Sequence, residues 1–261
     1  DLHRALDEKQ FELFFQPKVD IHSGAIIGAE ALLRWKHPTK GMISPADFIP
    51  VLETSGLIVD VGHWVIEDSC KKLQQWIHQG IWKEGMCLSV NLSPRQFRRE
   101  TFVDEVIDVL NTYNIPAGAL DMEITEGLVI QRVDDAIATM NQLAKRGVTF
   151  SLDDFGTGYS SISYLKKLPV QTLKVDQSFI RDITDDRSDR VLVETIISMG
   201  HLLGLVVVAE GVETEQQLNL LRELGCHHYQ GYWFSRPVPA QEFEQKLPSQ
   251  PEQKKQTAAA E

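Results

Sequence analysis

The stretch Val148-Thr149-Phe150-Ser151-Leu152-Asp153-Asp154 is a short apolar run that ends in two carboxylates. Four further apolar runs also end in a side chain that can handle phosphate or metal. They are Met86 to Val90 before Asn91, Leu120 to Met122 before Glu123, Thr172-Leu173 before Lys174, and Val206 to Ala209 before Glu210. In a (β/α)₈ barrel the carboxyl ends of the strands converge on one face and carry the catalytic groups. The pattern therefore predicts an active site on the rim of a barrel.

Helical periodicity fills the stretches between these runs. The predicted helices are Thr101 to Tyr113, Val133 to Arg146, Asp189 to Leu203 and Thr214 to Leu224. Upstream, the apolar segments Phe11 to Asp20 and Ala25 to Trp35 are joined by four residues, and strands joined so tightly must be antiparallel neighbours. The length of 261 residues is close to the ~250 of one barrel, so we predict a single α/β barrel domain. A flavodoxin-like open sheet is the competing arrangement.

Composition limits the kinds of partner. The chain has 26 Lys plus Arg against 37 Asp plus Glu, a formal charge of −11, which argues against binding a nucleic acid polymer by counterion release. Cys70, Cys87 and Cys226 include no close-spaced pair and fit neither a zinc site nor a disulfide framework. No apolar run approaches the ~18 residues of a membrane span. We expect a cytoplasmic domain without membrane contact of its own, which could belong to a membrane-anchored parent.

The two ends of the chain differ in character. Asp1 to Leu6 indicates the start of an amphipathic helix, as if the piece were cut from a larger protein, so we expect an upstream module. Residues 248–261 are polar and low in bulky apolar side chains, which predicts a disordered tail. The folded domain is therefore expected to span residues 1–247.

Glu123 and the adjacent pair Asp153 and Asp154 are the stronger candidates for metal binding. Adjacent carboxylates at a strand end repel unless a positive charge lies beside them, and a glycine-containing loop, Phe155 to Ser161, follows at once. The alternative is an acidic pair on the surface at a helix start. All-oxygen ligands suit Mg²⁺ or Mn²⁺ better than zinc.

Glu30 and Lys174 each interrupt an apolar strand. A carboxylate at Glu30 would be costly to bury without a cation, so it is either a metal ligand or half of a buried ion pair, with Arg34 as the natural local cation. Strand alternation places Glu30, Leu32 and Arg34 on one face. Lys174 is followed by Asp176, so a buried salt bridge is as open an interpretation as a functional role for this lysine.

Seven motifs together closely resemble the EAL domain family of bacterial cyclic di-GMP phosphodiesterases. They are Glu30-Ala31-Leu32, Asn91-Leu92-Ser93, Glu123 to Glu126, Asp153 to Gly158, Lys174-Val175-Asp176, Ala209 to Glu213 and Gln230-Gly231-Tyr232. The resemblance runs from about Leu6 to Phe243. It implies a (β/α)₈ barrel with one antiparallel strand that hydrolyses cyclic di-GMP to linear pGpG with two Mg²⁺ or Mn²⁺ ions.

The resemblance also implies a role for each motif residue. Glu30, Asn91, Glu123 and Asp153 would hold one metal, and Asp153 and Asp154 would approach a second. Lys174 would face the attacking water, and Glu210 would help to hold metal or water, which with Glu30 makes three catalytic candidates. Gln16, Arg34 and Gln230 match positions that contact the dinucleotide, and Glu126 matches one that braces the glycine loop.

Partners and rival functions follow from the same resemblance. It suggests a homodimer formed near Asp154 to Ser161 and an upstream GGDEF, PAS or receiver domain. One rival function is a non-catalytic receptor for cyclic di-GMP, which should have lost metal ligands or the loop. Another is an inert scaffold that acts through partner contacts. Because every motif acid is present, the sequence favours an active enzyme.

Overall fold

Eight strands close into a barrel in the computed structural model, which describes residues 1–130, 132–156 and 165–247. The strands in chain order are β1 Phe11–Asp20, β2 Ile26–His37, β3 Gly41–Ile43, β4 Cys87–Asn91, β5 Leu120–Thr125, β6 Thr149–Phe155, β7 Thr172–Val175, β8 Val206–Glu210, β9 His228–Gln230 and β10 Val238–Pro239. The barrel runs β1-β2-β4-β5-β6-β7-β8-β9 and returns to β1, while β3 and β10 pair at its margins.

Strand β1 is antiparallel to both of its barrel neighbours, β2 and β9. Every other neighbouring pair in the barrel is parallel. The predicted (β/α)₈ barrel with one antiparallel strand is therefore confirmed, and the open-sheet alternative is wrong. The eighth strand, β9, was not among the predicted runs, because three residues are too few to show a periodicity.

Helices cover the outside of the barrel. Their bounds are α1 Leu2–Asp7, α2 Pro45–Ser55, α3 Ile58–His78, α4 Pro94–Phe97, α5 Phe102–Thr112, α6 Glu126–Ile130, α7 Val133–Ala144, α8 Gln177–Arg181, α9 Arg187–Leu203, α10 Glu215–Glu223 and α11 Ala240–Glu244. The four predicted helices match α5, α7, α9 and α10 to within two residues at each end. Gly204, at φ +71°, ends α9 in the left-handed conformation that glycine adopts readily.

Alternate residues of the central strands face opposite sides of the barrel wall. Leu88, Met122 and Phe150 are fully buried in the apolar core. Their sequence neighbours Ser89, Asp121 and Ser151 face the opposite side of each strand and are joined to one another by hydrogen bonds. Barrel interiors are usually filled by branched apolar side chains. Polar side chains thus fill part of this interior below the rim.

Within the described residues, no single helix is long and apolar enough to span a membrane. The consecutive helices α2 and α3 meet that test only when taken together, and they are bent by 119° relative to each other.

Candidate active site

A cavity of about 300 Å³ opens at the carboxyl-terminal mouth of the barrel. Its lining includes Gln16 and Glu30 from the first two strands, Asp153, Lys174 and Glu210 from β6, β7 and β8, and Gln230 from β9. Parallel strands bring their ends to one side, and the register pairs Glu210 directly with Gln230. Residues that are distant in the sequence thus share one small volume.

The ammonium group of Lys174 is at the centre of the site. Its Nζ lies 2.6 Å from Glu123 Oε2, 2.6 Å from Glu210 Oε1, 3.1 Å from Asp153 Oδ1 and 3.8 Å from Glu30 Oε2. Lys174 is fully buried. The salt-bridge interpretation of this residue was therefore right in kind, but the partners come from four other strands and not from Asp176, which caps α8.

Glu30 is held by two side-chain amides in addition to this ion pair. Asn91 Nδ2 donates to Glu30 Oε1 at 2.6 Å, and Gln230 Nε2 donates to Glu30 Oε2 at 2.6 Å. Gln230 Nε2 also donates to Gln16 Oε1 at 2.9 Å, and Gln16 in turn donates to the carbonyl of Ser235. The structure thus connects Gln16, Gln230, Glu30 and Asn91 in one row along the cavity wall.

Arg34 lines the same cavity as Glu30, as the strand alternation predicted. Its guanidinium lies 5.7 Å from the centre of the Phe14 ring and donates to the carbonyl of Leu33. The ammonium group that neutralises Glu30 most closely is that of Lys174, from β7. Arg34 therefore presents its half-buried positive charge at the mouth of the cavity.

A second buried lysine, Lys18, was not predicted as a site residue. It lies two residues before the end of β1, and its Nζ crosses the barrel interior to donate to Glu123 Oε1 at 2.7 Å. Glu123 consequently has one ammonium group on each carboxylate oxygen. The available signal was the two-residue period of strands, which places Lys18 on the same face as Gln16.

The pKa values of the acids follow from this distribution of charge. Burial and the neighbouring carboxylates raise the pKa of Glu30 to about 7 and that of Glu210 to about 8. Burial would also raise the pKa of Glu123, but Lys174 and Lys18 outweigh it and hold that pKa at about 2. For Lys174 burial acts against the charge, yet the surrounding acids raise its pKa well above 10.5. The site is therefore short of positive charge.

Asp153, Asp154 and Glu210 form a group suited to a metal ion. One oxygen of each lies within 4.8 Å of the other two. Asp153 is buried and Asp154 is exposed, and burial together with Asp153 raises the pKa of Asp154 to about 6. Asp154 has φ +53°, a left-handed conformation that is uncommon for residues other than glycine. The all-oxygen donors and the excess of negative charge fit a hard divalent cation.

Glu126 is buried at the start of α6, directly after β5. The glycine loop that it was expected to brace continues through residues 157–164, which lie outside the described residues, so that expectation stays a prediction. The predicted tail, residues 248–261, lies outside them as well.

The fold and the site define an α/β-barrel protein with an acidic site at the strand ends. A model of the EAL domain family matches residues 1–237, and the chain belongs to this family. It is 42% identical over 243 residues to the bifunctional diguanylate cyclase/cyclic di-GMP phosphodiesterase MucR of Pseudomonas aeruginosa, covering 93% of this chain and 35% of MucR. It is 41% identical to the cyclic di-GMP phosphodiesterase NbdA of the same organism, over 95% of this chain and 31% of NbdA.

Solved structures agree with this assignment. The PaMucR phosphodiesterase in complex with c-di-GMP superimposes with a TM-score of 0.90 at 42% identity, covering 93% of this chain and 98% of that one. The FimX EAL domain of Pseudomonas aeruginosa bound to c-di-GMP gives a TM-score of 0.82 at 25% identity, covering 91% and 94%. The chain spans about a third of the length of the curated relatives it matches.

Proposed function

We propose that this domain hydrolyses cyclic di-GMP to linear pGpG in a reaction that depends on divalent metal ions. The observation that carries the proposal is the convergence of four carboxylates, from Glu30, Glu123, Asp153 and Glu210, on the buried ammonium of Lys174. The named activities of MucR and NbdA supply the reaction and the substrate. Water adds to one phosphorus atom, and the 3′ oxygen of that phosphodiester leaves and takes up a proton.

The donor set fits two divalent ions. In the proposal Glu30, Asn91, Glu123 and Asp153 hold one ion, and Asp153 with Asp154 approaches a second. When bound, such ions lower the pKa of a water and neutralise charge on a phosphodiester. Mg²⁺ and Mn²⁺ are the ions of choice because the donors are all oxygen atoms.

The protein's own side chains orient the reactants. Lys174 adds positive charge where the transition state is most negative, and its contact with Glu210 sets the direction of that ammonium. Arg34 offers a planar set of donors to a phosphate at the cavity mouth. Because Gln16 and Gln230 are fixed to each other, they present a preformed wall to the dinucleotide.

One buried atom supports ligand binding at this wall. Among the described residues, Gln230 Oε1 has no hydrogen-bond donor, although Gln230 is only 4% exposed. A buried acceptor without a donor costs about 1–3 kcal/mol. A ligand, an ion or a water that reaches Gln230 Oε1 recovers that free energy, which favours occupancy of the cavity.

The test is direct. Purified protein is incubated with cyclic di-GMP and Mg²⁺ or Mn²⁺, with and without a chelator, and the products are resolved by chromatography. Metal-dependent formation of pGpG supports the proposal. Tight binding of cyclic di-GMP without cleavage in either metal contradicts it and establishes the receptor function.

The proposal extends to the assembly. We infer a homodimer formed near Asp154 and its neighbouring helices, and an additional sensory or GGDEF domain in the parent protein, since the relatives are about three times as long as this chain. Sedimentation with metal and cyclic di-GMP present tests the dimer, and a monomer at high protein concentration would contradict it.

A further inference from the structure

We propose that Lys18 is a positioning residue of this site: it holds Glu123 by Oε1, so that only Oε2 faces Lys174 and the reaction centre. This inference rests on the proposed function. Two distances carry it, 2.7 Å from Lys18 Nζ to Glu123 Oε1 and 2.6 Å from Lys174 Nζ to Glu123 Oε2. With each oxygen held by a different ammonium, the carboxylate cannot rotate without breaking both contacts.

Lys18 approaches Glu123 from below the site. It lines a separate cavity of about 380 Å³ with residues that precede or begin the strands, such as Gly85, Gly118 and Gln171, and these mark the amino-terminal mouth of the barrel. It is not among the residues that line the carboxyl-terminal cavity. Lys18 therefore acts on the site through Glu123 and does not touch a substrate in that cavity.

A network of hydrogen bonds fixes Lys18 itself. Its Nζ also donates to Ser89 Oγ, and Ser89 Oγ donates to Asp121 Oδ2 at 2.8 Å. Asp121 further accepts from Ser151 Oγ at 2.6 Å and from Thr149 Oγ1 at 3.0 Å. These partners come from β4, β5 and β6. The ammonium of Lys18 is thus tied to three strands that also carry Asn91, Glu123 and Asp153 at their ends.

Lys18 also affects the charge available to a metal. Its ammonium contacts an acid that is a proposed ligand, so it repels a divalent ion in the site while it orients the carboxylate. Removing the charge of Lys18 should therefore loosen the orientation of the Glu123 carboxylate but should not weaken the affinity of the site for a divalent ion. A residue that only supported the fold would lower activity, affinity and stability together.

The test is Lys18→Met, which keeps an unbranched side chain and removes the ammonium. We expect kcat for cyclic di-GMP to fall by about 10- to 100-fold, the range seen when partners that orient metal ligands are lost. KM is expected to stay unchanged, because Gln16, Arg34 and Gln230 are untouched. Calorimetric titration of the metal-free protein with Mn²⁺ is expected to show binding at least as tight as in the wild type.

Ser151→Ala is the matched control. It removes one hydrogen bond to the same Asp121 but keeps the ammonium of Lys18 on Glu123, so kcat should fall far less than in Lys18→Met. If Lys18→Met does not fold, Lys18→Gln replaces it. Its shorter amide can still bond Ser89 but carries no charge, and the same loss of kcat with retained Mn²⁺ binding is expected.

Two results would overturn the inference. One is a kcat equal to that of the wild type in the Lys18 variant. The other is a parallel loss of kcat, Mn²⁺ affinity and thermal stability, which would make Lys18 only a support of the fold. If the wild type binds Mn²⁺ but yields no pGpG, the proposed function fails instead. In that case the Mn²⁺ titration still tests the inference on Lys18. Weaker Mn²⁺ binding by Lys18→Met than by the wild type would contradict the proposed repulsion between the Lys18 ammonium and the metal ion.

Discussion

Removing the ammonium of Lys174 should destabilise the metal-free protein more than the metal-bound protein. Lys174→Met leaves Glu123, Glu210 and Asp153, now 2.6, 2.6 and 3.1 Å from Nζ, without their shared cation. Loss of one partner from a buried ion pair costs about 3–5 kcal/mol. About 1 kcal/mol shifts the unfolding midpoint of a domain of this size by about 2–4 °C, so we expect a decrease of about 6–20 °C.

The pH dependence of this loss has a definite sign. The pKa of Lys174 is raised above 10.5, so its stabilisation is present throughout the range from pH 5 to 9. In the variant, the acids can relieve their repulsion by taking up protons, so the loss should be smaller near pH 5 than near pH 8.

Thermal unfolding followed by circular dichroism measures this loss. The wild type, Lys174→Met and the exposed control Lys71→Met are compared at both pH values, in chelator and in Mn²⁺. Mn²⁺ should reverse much of the decrease in the unfolding midpoint of Lys174→Met, since a bound cation among the acids replaces the ammonium. The variant should still not hydrolyse cyclic di-GMP. Equal midpoints for Lys174→Met and wild type in chelator at pH 8 would refute the reasoning.

Three further predictions concern the acids. Glu30→Ala should abolish hydrolysis of cyclic di-GMP, measured by product chromatography, and near wild-type turnover would contradict the proposal that Glu30 holds a metal ion. For the metal-free wild type, the pKa values of Glu30 and Glu210 are raised from 4.5 to about 7 and about 8. Their contribution to stability is therefore full below pH 4.5 and is lost as the pH rises toward 8. Urea unfolding in chelator should show this decrease in the free energy of unfolding, and a free energy of unfolding that does not change with pH would contradict it. Asp154→Asn keeps a residue that tolerates φ +53°, so its unfolding midpoint should match that of the wild type. Calorimetric titration should show one bound Mn²⁺ in this variant and two in the wild type, and equal numbers would contradict the proposed role of Asp154.

The sequence predicted the architecture because each parallel strand carries its own evidence. An apolar run followed by a polar residue and a helical stretch defines one βα unit, and Asn91, Glu123, Asp153, Lys174 and Glu210 all follow that rule. Glu30 was found by a different signal, a carboxylate inside an apolar strand. The strand pattern alone could not predict its hydrogen-bond and ion-pair partners, since Asn91, Gln230 and Lys174 come from three other strands and only the closed barrel brings them within 4 Å.

Lys18 was missed because β1 runs against the other barrel strands. In a parallel strand the residue nearest to the site is the last one, so an interpretation based on strand ends finds it. In β1 the chain passes the site early, so Gln16 lies at the cavity in mid-strand and Lys18, two residues later, lies one step below it. The short turn after Asp20 predicts that reversal, but the strand-end pattern does not point to Lys18, because its side chain lies below the strand ends. Because β1 is reversed, the two residues Gln16 and Lys18 on one face of it serve both sides of Glu123: Gln16 lines the carboxyl-terminal cavity, and Lys18 holds Glu123 from the side of the amino-terminal cavity.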